Sequence, residues 1–296
     1  SLLAGYEANK VQTRSFLVQG ENYPPSPKLR TLENASIISG GNSSLTGFAF
    51  ESYFGRFTYN YNYKYYLSGS LRRDGSSRFG SENRFGTFWS LGASWRLDQE
   101  AFVQNIDFID ELKLRTSYGV TGNAEIGNFA WLPSVSFGID YDGNPGGTFT
   151  NIGNRNLTWE QNTSFNVGLD FSLLDRFDGT VEYFWRESDN LLLNLPVSRT
   201  TGFTSATKNF GAMVNKGLEL TLNADIIRGS DFNWSAGGNV SFINNKITRL
   251  AEPFVEGSGN RFRREEGREF NEYWVYDYAG VNPDNGLPLW YTDETR

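Results

Sequence analysis

Cysteine and histidine are absent from this sequence of 296 residues, and methionine occurs once. Disulfide bonds, zinc sites with Cys or His ligands, a thiol nucleophile and a Ser-His-Asp triad are therefore excluded. Acidic pairs such as Asp107/Asp110 exist, but nothing in the sequence places such a pair across a cleft, as a glycosidase requires. We therefore predict that the protein is not an enzyme, and the sequence predicts no cofactor.

Long apolar runs are also absent, which excludes a membrane-spanning helix because such a helix needs about 20 apolar residues. The same absence does not exclude a membrane β-barrel, because its strands carry apolar side chains only at alternate positions. The net charge of −7 argues against a broad nucleic-acid interface. Aromatic residues reach 16% and glycine 32 residues, although only 38% of the chain is hydrophobic. This composition is typical of a barrel that is apolar outside and polar inside.

Strict alternation of apolar and polar residues is the main pattern in the chain, and it predicts strands. In residues 87–97, for example, Trp89, Leu91, Ala93 and Trp95 share one face. The runs are longer than the five or six residues usual in soluble sheets, and they match the length that a bilayer demands. Alternation of this kind occurs in 2–9, 53–61, 64–73, 87–97, 111–120, 164–174, 178–189, 216–226 and 232–242.

The polar faces and the connections both favour a membrane barrel. Charged residues occupy the middle of the long strands on the polar face, which fits a water-filled lumen: Lys113, Arg115, Asp170, Glu219 and Asp225. The connections alternate between long (9–52, 74–86, 121–160, 190–215) and short or compact (61–64, 98–110, 175–177, 227–231). The sequence thus predicts an all-β, antiparallel transmembrane β-barrel segment with long outer loops and short periplasmic turns.

Aromatic residues on the apolar faces predict a membrane girdle. Trp89 and Trp95 lie six residues apart, or about 20 Å along a strand. Aromatic side chains near the two rims of an apolar band are the girdle pattern, and Tyr118 and Trp234 extend it. The alternative is that Trp89 and Trp95 are two core tryptophans of a β-sandwich, and this pair alone does not decide between the two.

An ordered set of short motifs resembles the barrel of the SusC/RagA-like TonB-dependent outer-membrane transporters of Bacteroidota. Each motif is weak alone, but the order covers nearly the whole chain. The motifs span residues 54–59, 64–67, 73–80, 83–86, 94–97, 100–102, 112–123, 157–160, 168–171 and 215–220.

The resemblance implies more than the residues themselves indicate. Family members form a barrel of about 22 strands around an N-terminal plug. The resemblance implies import of glycans or peptides across the cell outer membrane, energised by TonB, with a SusD-like surface lipoprotein as partner. About nine or ten strands are found here, so residues 1–296 are expected to be a partial barrel that contacts outer-membrane lipid, with the plug, the TonB box and the remaining strands outside it.

Two alternatives from other classes stay open. One is a passive, porin-like barrel subunit without energy coupling, which a plug and TonB box would exclude. The other is a secreted all-β domain that binds carbohydrate or acts as an adhesin. Solubility without detergent would support this second alternative, and the long strands argue against it.

Ligand-binding candidates come from the loops, where binding residues concentrate. Aromatic rings there can stack on a sugar or on an apolar peptide side chain, or can pack the loops together: Trp131, Tyr141, Phe149, Trp159 and Phe203. A weak calcium candidate is formed by Asp140, Asp142 and Asn144. However, Pro145 and Asn151 occupy the positions where an EF-hand requires Gly and Glu, so a polar turn is the stronger interpretation.

Overall fold

The computed structural model describes residues 1–250, 252–256 and 261–291. Nine antiparallel strands form one sheet, in the order β1-β2-β3-β4-β5-β8-β9-β12-β13. Their bounds are β1 Leu2–Glu21, β2 Ile37–Tyr61, β3 Tyr65–Ser76, β4 Phe85–Arg96, β5 Ile109–Asn123, β8 Glu160–Leu173, β9 Phe177–Asp189, β12 Ala212–Arg228 and β13 Asn233–Arg249. The nine predicted strands are therefore confirmed, and strands adjacent in this sheet are also consecutive along the chain apart from inserted hairpins.

Short hairpins and turns of 3-10 helix lie outside the nine-stranded sheet. The hairpins are β6–β7 (Ser134–Tyr141, Asn144–Asn151) and β10–β11 (Leu192–Pro196, Ser205–Asn209), followed after β13 by β14–β15 (Phe254–Glu256, Phe262–Arg264) and β16–β17 (Tyr278–Val281, Pro288–Trp290). Turns of 3-10 helix occupy Pro27–Leu29, Leu32–Asn34, Ser81–Asn83, Leu97–Gln99 and Arg199–Thr201. No helix in the described ranges has the length and hydropathy needed to cross a membrane.

The register gives the sheet one apolar and one polar face. Trp89 pairs with Val120, Leu91 with Tyr118 and Trp95 with Leu114, so apolar residues face apolar residues across strands. The alternate rows carry Ser, Gly, Asn and charged residues. Because a one-residue slip would move every side chain to the other face, the alternation in each strand fixes this register.

Long and short connections leave from opposite ends of the sheet, which we call the loop end and the turn end. Residues 62–64, 97–108, 174–176 and 229–232 join strands at the turn end. The tightest of these turns place Asn62 and Tyr63, and Leu174 and Asp175, at positive φ. Two consecutive positive φ values are the geometry of hairpin turns that match the strand twist.

The strands β1 and β2 are much longer than the sequence predicted. They contain 20 and 25 residues, and they pair continuously from Leu2–Phe57 to Glu21–Ile37, with one bulge at Gln19/Gly20. The predicted loop 9–52 was therefore wrong, and only residues 22–36 connect the two strands. The reason is that in the outer halves polar residues such as Ser, Gly, Asn and Gln occur on both faces and apolar residues stand side by side, as in 16–18 and 37–38, so they show no alternation.

The buried core lies at the loop end rather than between two sheet layers. Loop residues pack onto the polar face of the sheet there and form one cluster, which we call the loop core. It comprises Phe79, Phe88, Ala124, Leu157 and Trp159, with Phe50, Val120, Ile126, Ala130, Trp131 and Leu192 packed against it.

Asp98 is the anchor of the turn between β4 and β5. Its side chain is nearly buried, and it accepts bonds of 2.8 and 2.7 Å from the guanidinium of Arg96 and one of 2.7 Å from the Gln99 amide. Burial by itself would raise the pKa of Asp98, but the hydrogen bonds from Arg96 and Gln99 outweigh it and lower the pKa below its usual range.

We expect Asp98→Asn to remove a pH-dependent part of the stability. Because the pKa of Asp98 is lower in the folded state, the carboxylate stabilises the fold above the unfolded pKa of about 3.9 and loses this contribution as pH falls through the folded pKa. The midpoint of thermal unfolding of the variant should therefore be lower than that of the wild type at neutral pH. The difference between the two midpoints should disappear on acidification. The control is Asp107→Asn, which changes an exposed residue of the same turn. It should leave the midpoint of thermal unfolding unchanged at every pH.

Candidate functional site

An ion-pair ladder crosses the polar face of the sheet. The Arg115 guanidinium donates to Asp170 at 3.1 Å and to Glu182 at 2.5 Å, which links β5, β8 and β9. Thr180 also donates to Asp170 at 3.2 Å, and the Lys113 amine lies 4.0 Å from that carboxylate. The predicted polar-face positions of Lys113, Arg115 and Asp170 thus lie together, and each charge has a partner.

Gly168 makes the reach of Arg115 possible. Arg115 pairs with Gly168 in the register and Gly168 with Glu182, so the guanidinium crosses the glycine to reach the third strand. A Cβ at residue 168 would lie 2.9 Å from Cζ of Arg115. Glu182 stands directly opposite Glu219, and like charges in such a pair destabilise a sheet. Arg115 therefore compensates a local excess of negative charge.

A second polar cluster lies near the loop end and lines a cavity of about 350 Å³. Arg72 donates to Asp74 at 2.6 Å, to Ser52 at 2.9 Å and to Glu7 at 3.4 Å. The cavity opens between this network and the wall of the loop core that contains Trp159. A concave site with paired charges and one aromatic wall suits polar, hydrogen-bonding ligands. Sequence reasoning missed Arg72, because its partners on β1 and β2 are set only by the register.

Trp159, one of the predicted ligand-stacking residues, is buried in the loop core with 5% of its surface exposed. Its ring centroid lies 5.3 Å from that of Phe79 and 5.2 Å from that of Phe88, and its indole N–H donates to the Arg84 carbonyl at 3.0 Å. The structure therefore gives this ring contacts that hold loops to the sheet, and with 5% of its surface exposed it contributes only a small part of the wall of the cavity beside Arg72.

The motif 73–80, at the start of the predicted long connection 74–86, contributes to the same core. Ser76 and Phe79 are fully buried. Arg78 lies 4.3 Å from the Phe48 ring, and it donates to Asn128 at 3.0 Å and to the Ala124 carbonyl at 3.1 Å. The loop between β3 and β4 is thus fastened to the loop between β5 and β8.

The remaining predicted loop aromatics occupy different environments. Trp131 is half-buried beside the loop core, and its indole N–H has no hydrogen-bond partner among the described residues. Phe149 is exposed on the β6–β7 hairpin, as is Phe137, which the sequence reasoning missed. Phe203 is half-buried next to the β10–β11 hairpin. The side chain of Tyr141 lies outside the described part of the structure.

The calcium candidate Asp140, Asp142 and Asn144 forms the tip of the β6–β7 hairpin. Asp142 and Gly143 have φ of 53° and 78°, and the Asp140 carboxylate accepts from the Gly143 N–H at 2.7 Å. An Asp-Gly pair at two positive φ values is the preferred two-residue hairpin turn. Within the described ranges there is no group of three or more acidic side chains suited to a metal. The geometry is that of a hairpin turn, and the calcium site stays a prediction.

The predicted girdle residues lie on the apolar face at two levels. Trp89 and Tyr118 are exposed toward the loop end, with ring centroids 5.6 Å apart. Trp95 is near the turn end of β4, and its indole N–H donates to Glu100 at 3.0 Å. Trp234 is half-exposed near the start of β13.

Comparisons with a family model, with curated proteins and with solved structures all indicate the same family. The family described as "TonB dependent receptor-like, beta-barrel" matches residues 3–293. TonB-dependent receptor P39 of Formosa agariphila is 35% identical over 80% of this chain, and TonB-dependent receptor SusC of Bacteroides thetaiotaomicron is 34% identical over 80%. The solved RagAB peptide transporter superimposes with a TM-score of 0.88 at 29% identity over 100% of this chain.

The chain spans only part of these relatives. It covers 23% of receptor P39, 26% of SusC and 33% of the solved RagAB chain. Within that part, the family match runs along almost the whole sequence, and the nine-stranded antiparallel sheet matches the solved barrel. The chain therefore belongs to the TonB-dependent receptor β-barrel family, and its relatives are of the SusC and RagA kind.

Proposed function

We propose that this chain forms part of the barrel wall of a TonB-energised importer in the cell outer membrane. The observation that carries this proposal is a nine-stranded sheet with one apolar and one polar face, in a chain that matches the family over residues 3–293. In such a barrel the apolar face contacts lipid, and the polar face with its ion-pair ladder lines the lumen.

The edges of the sheet support the proposal that the barrel is larger. Among the described strands, β1 and β13 each pair on one side only. An unpaired backbone edge in lipid costs several kcal/mol for each bare polar group. We infer that further strands of the same protein close a barrel of about 22 strands, as the relatives' architecture implies. The plug and the TonB box then belong to the protein outside residues 1–296.

The girdle residues fit this placement. Trp89 and Tyr118 stand at the outer border of the bilayer, and Trp95 and Trp234 at the periplasmic border. Long loops then face outward and short turns face the periplasm.

The loop end is the proposed site of substrate capture. Glycans or peptides are the proposed substrates, because the solved RagAB relative is named a peptide transporter and the resemblance to SusC/RagA-like transporters implies these two classes. The exposed rings of Phe137 and Phe149 and the polar cavity around Arg72 offer stacking and hydrogen bonding to either class. A SusD-like surface lipoprotein is the proposed partner over this end, and TonB is the proposed partner at the periplasmic side.

Uptake measurements test the proposal. In the native bacterium, a strain lacking the full-length gene and a strain lacking TonB are offered labelled oligosaccharides and peptides. We expect both strains to lose uptake of the same substrate, and the complemented deletion strain to regain it. Uptake that persists without TonB would indicate a passive porin-like barrel, and protein found in the culture medium would indicate a secreted binding domain.

A further inference from the structure

A groove of about 550 Å³ lies on the apolar face near the turn end, where β3, β4 and β5 run side by side. Two neighbouring rows of paired residues line it. Leu67, Ala93 and Thr116 form one row, and Tyr65, Trp95 and Leu114 form the next. Ala93 is the smallest of these side chains, so the sheet is depressed at its position and the larger neighbours form the walls.

Aromatic rings make one wall of the groove. The ring centroids of Tyr61 and Tyr65 are 6.4 Å apart and those of Tyr65 and Trp95 are 6.1 Å apart, with interplanar angles of 27° and 24°. Tyr65 and Trp95 are thus nearly parallel and line the groove, and Tyr61 stacks on Tyr65 outside the lining.

Glu100 holds this wall from the periplasmic side. Its carboxylate accepts from the Tyr65 hydroxyl at 2.6 Å, from the Trp95 indole at 3.0 Å and from the Lys64 amine at 3.3 Å. The hydrogen bonds from Tyr65 and Trp95 lower the pKa of Glu100, so the carboxylate stays ionised. The polar atoms of both rings are therefore fixed outside the groove, and the rings present hydrocarbon to it.

The opposite side of the groove is equally apolar. Leu67 and Leu114 are 44% and 37% exposed, and the Thr116 hydroxyl is already donated to the Asn166 carbonyl at 3.0 Å. An occupant would thus meet hydrocarbon on both sides. Ser94 and Arg115 also line the groove, but the Arg115 guanidinium is engaged by Asp170 and Glu182 on the polar face, and the Glu100–Lys64 ion pair lies outside the lining, beyond Tyr65 and Trp95.

We propose that this groove binds an acyl chain of a phospholipid from the periplasmic leaflet. The inference rests on the proposed outer-membrane placement, in which the apolar face contacts the bilayer and the turn end lies at its periplasmic border. The apolar groove suits a flexible hydrocarbon chain, and the Glu100–Lys64 pair next to Tyr65 and Trp95 lies at the level of lipid headgroups in this placement. The groove is a defined lipid site, distinct from the lipid that exchanges freely around the rest of the barrel.

Lipid retention by the full-length protein tests this site. The wild type, Ala93→Leu and Ala224→Leu are extracted from outer membranes, washed by prolonged detergent exchange and assayed for bound phospholipid by mass spectrometry. Ala224 lies on the apolar face of β12 near the turn end, outside the groove, so it is the matched control. We expect phospholipid to be retained by the wild type and by Ala224→Leu, and to be lost from Ala93→Leu.

Three results would overturn the proposal. They are no retained phospholipid in the wild type, as much phospholipid retained by Ala93→Leu as by the wild type, or as much phospholipid lost from Ala224→Leu as from Ala93→Leu. If Ala93→Leu does not fold, Ala93→Val replaces it, since a β-branched residue is favoured in strands. A protein that needs no detergent for extraction would contradict the membrane placement, and this outcome is separate from the three lipid results.

Discussion

Replacing Trp159 with alanine is expected to destabilise the loop end by about 3–5 kcal/mol, the usual cost of deleting a buried aromatic side chain. The ring contacts Phe79 and Phe88 and donates to the Arg84 carbonyl, so its loss leaves a cavity and removes one of the two hydrogen bonds to this oxygen, which still accepts from the Ser76 N–H at 3.1 Å. Hydrogen exchange of the full-length protein in detergent should be faster in the loop between β3 and β4 and in the loop before β8, with little change at the turn end of the sheet.

Two further variants separate packing from ligand contact. Phe149→Ala, which changes an exposed ring, should alter stability by less than about 0.5 kcal/mol. Trp159→Phe keeps most of the volume and loses the bond to Arg84, so it should cost about 1 kcal/mol. If Trp159→Ala left loop exchange unchanged but weakened substrate binding, the ring would be a ligand contact and the packing role would be wrong.

Replacing Arg115 with leucine is expected to lower the free energy of unfolding by about 1–3 kcal/mol, because two carboxylates lose their shared partner. We place the effect below that of a fully buried ion pair, since the side chains of Arg115, Asp170 and Glu182 are 35%, 30% and 20% exposed. The thermal midpoint of the detergent-purified full-length protein measures the change. Lys113→Leu is the control, and its longer 4.0 Å contact predicts a smaller loss.

A double-mutant cycle identifies the partner. Adding Glu182→Leu to Arg115→Leu should recover part of the lost stability, because it removes the carboxylate left next to Glu219. Gly168→Ala should act in the same direction as Arg115→Leu, since a Cβ there crowds the guanidinium. Simple additivity of the two leucine substitutions would show that the ladder is not coupled.

The central strands were predictable because each carries its own alternation. Residues 89–97 and 111–120 carry apolar or aromatic residues at every second position apart from Thr116, and the structure pairs these rows as expected. The outer halves of β1 and β2 were not predictable in this way. Where polar residues occupy both faces, as in residues 39–44, no periodicity distinguishes a strand from a loop. Pairing with the neighbouring strand alone determines that these residues form a strand.

Some features of the candidate sites could be predicted from local sequence, and others depend on contacts between distant segments. The Asp142-Gly143 turn was within reach of the sequence, since Asp-Gly between two strands is a strong hairpin signal, and it accounts for the calcium-like pattern. The burial of Trp159 could not be predicted from the sequence. It depends on the packing of several loops against the sheet, and these loops are far apart in the sequence. Likewise, the reach of Arg115 across Gly168 and the three donors to Glu100 follow from register, which alternation sets but a local motif does not display.

The composition of the native complex tests most directly whether this chain is part of an outer-membrane importer. The protein is extracted in detergent from outer membranes, and the particle is analysed by native and intact-mass spectrometry. We expect a polypeptide several times longer than 296 residues, with a surface lipoprotein in the same particle. A solitary polypeptide of 296 residues, or one recovered without detergent, would contradict the proposed importer.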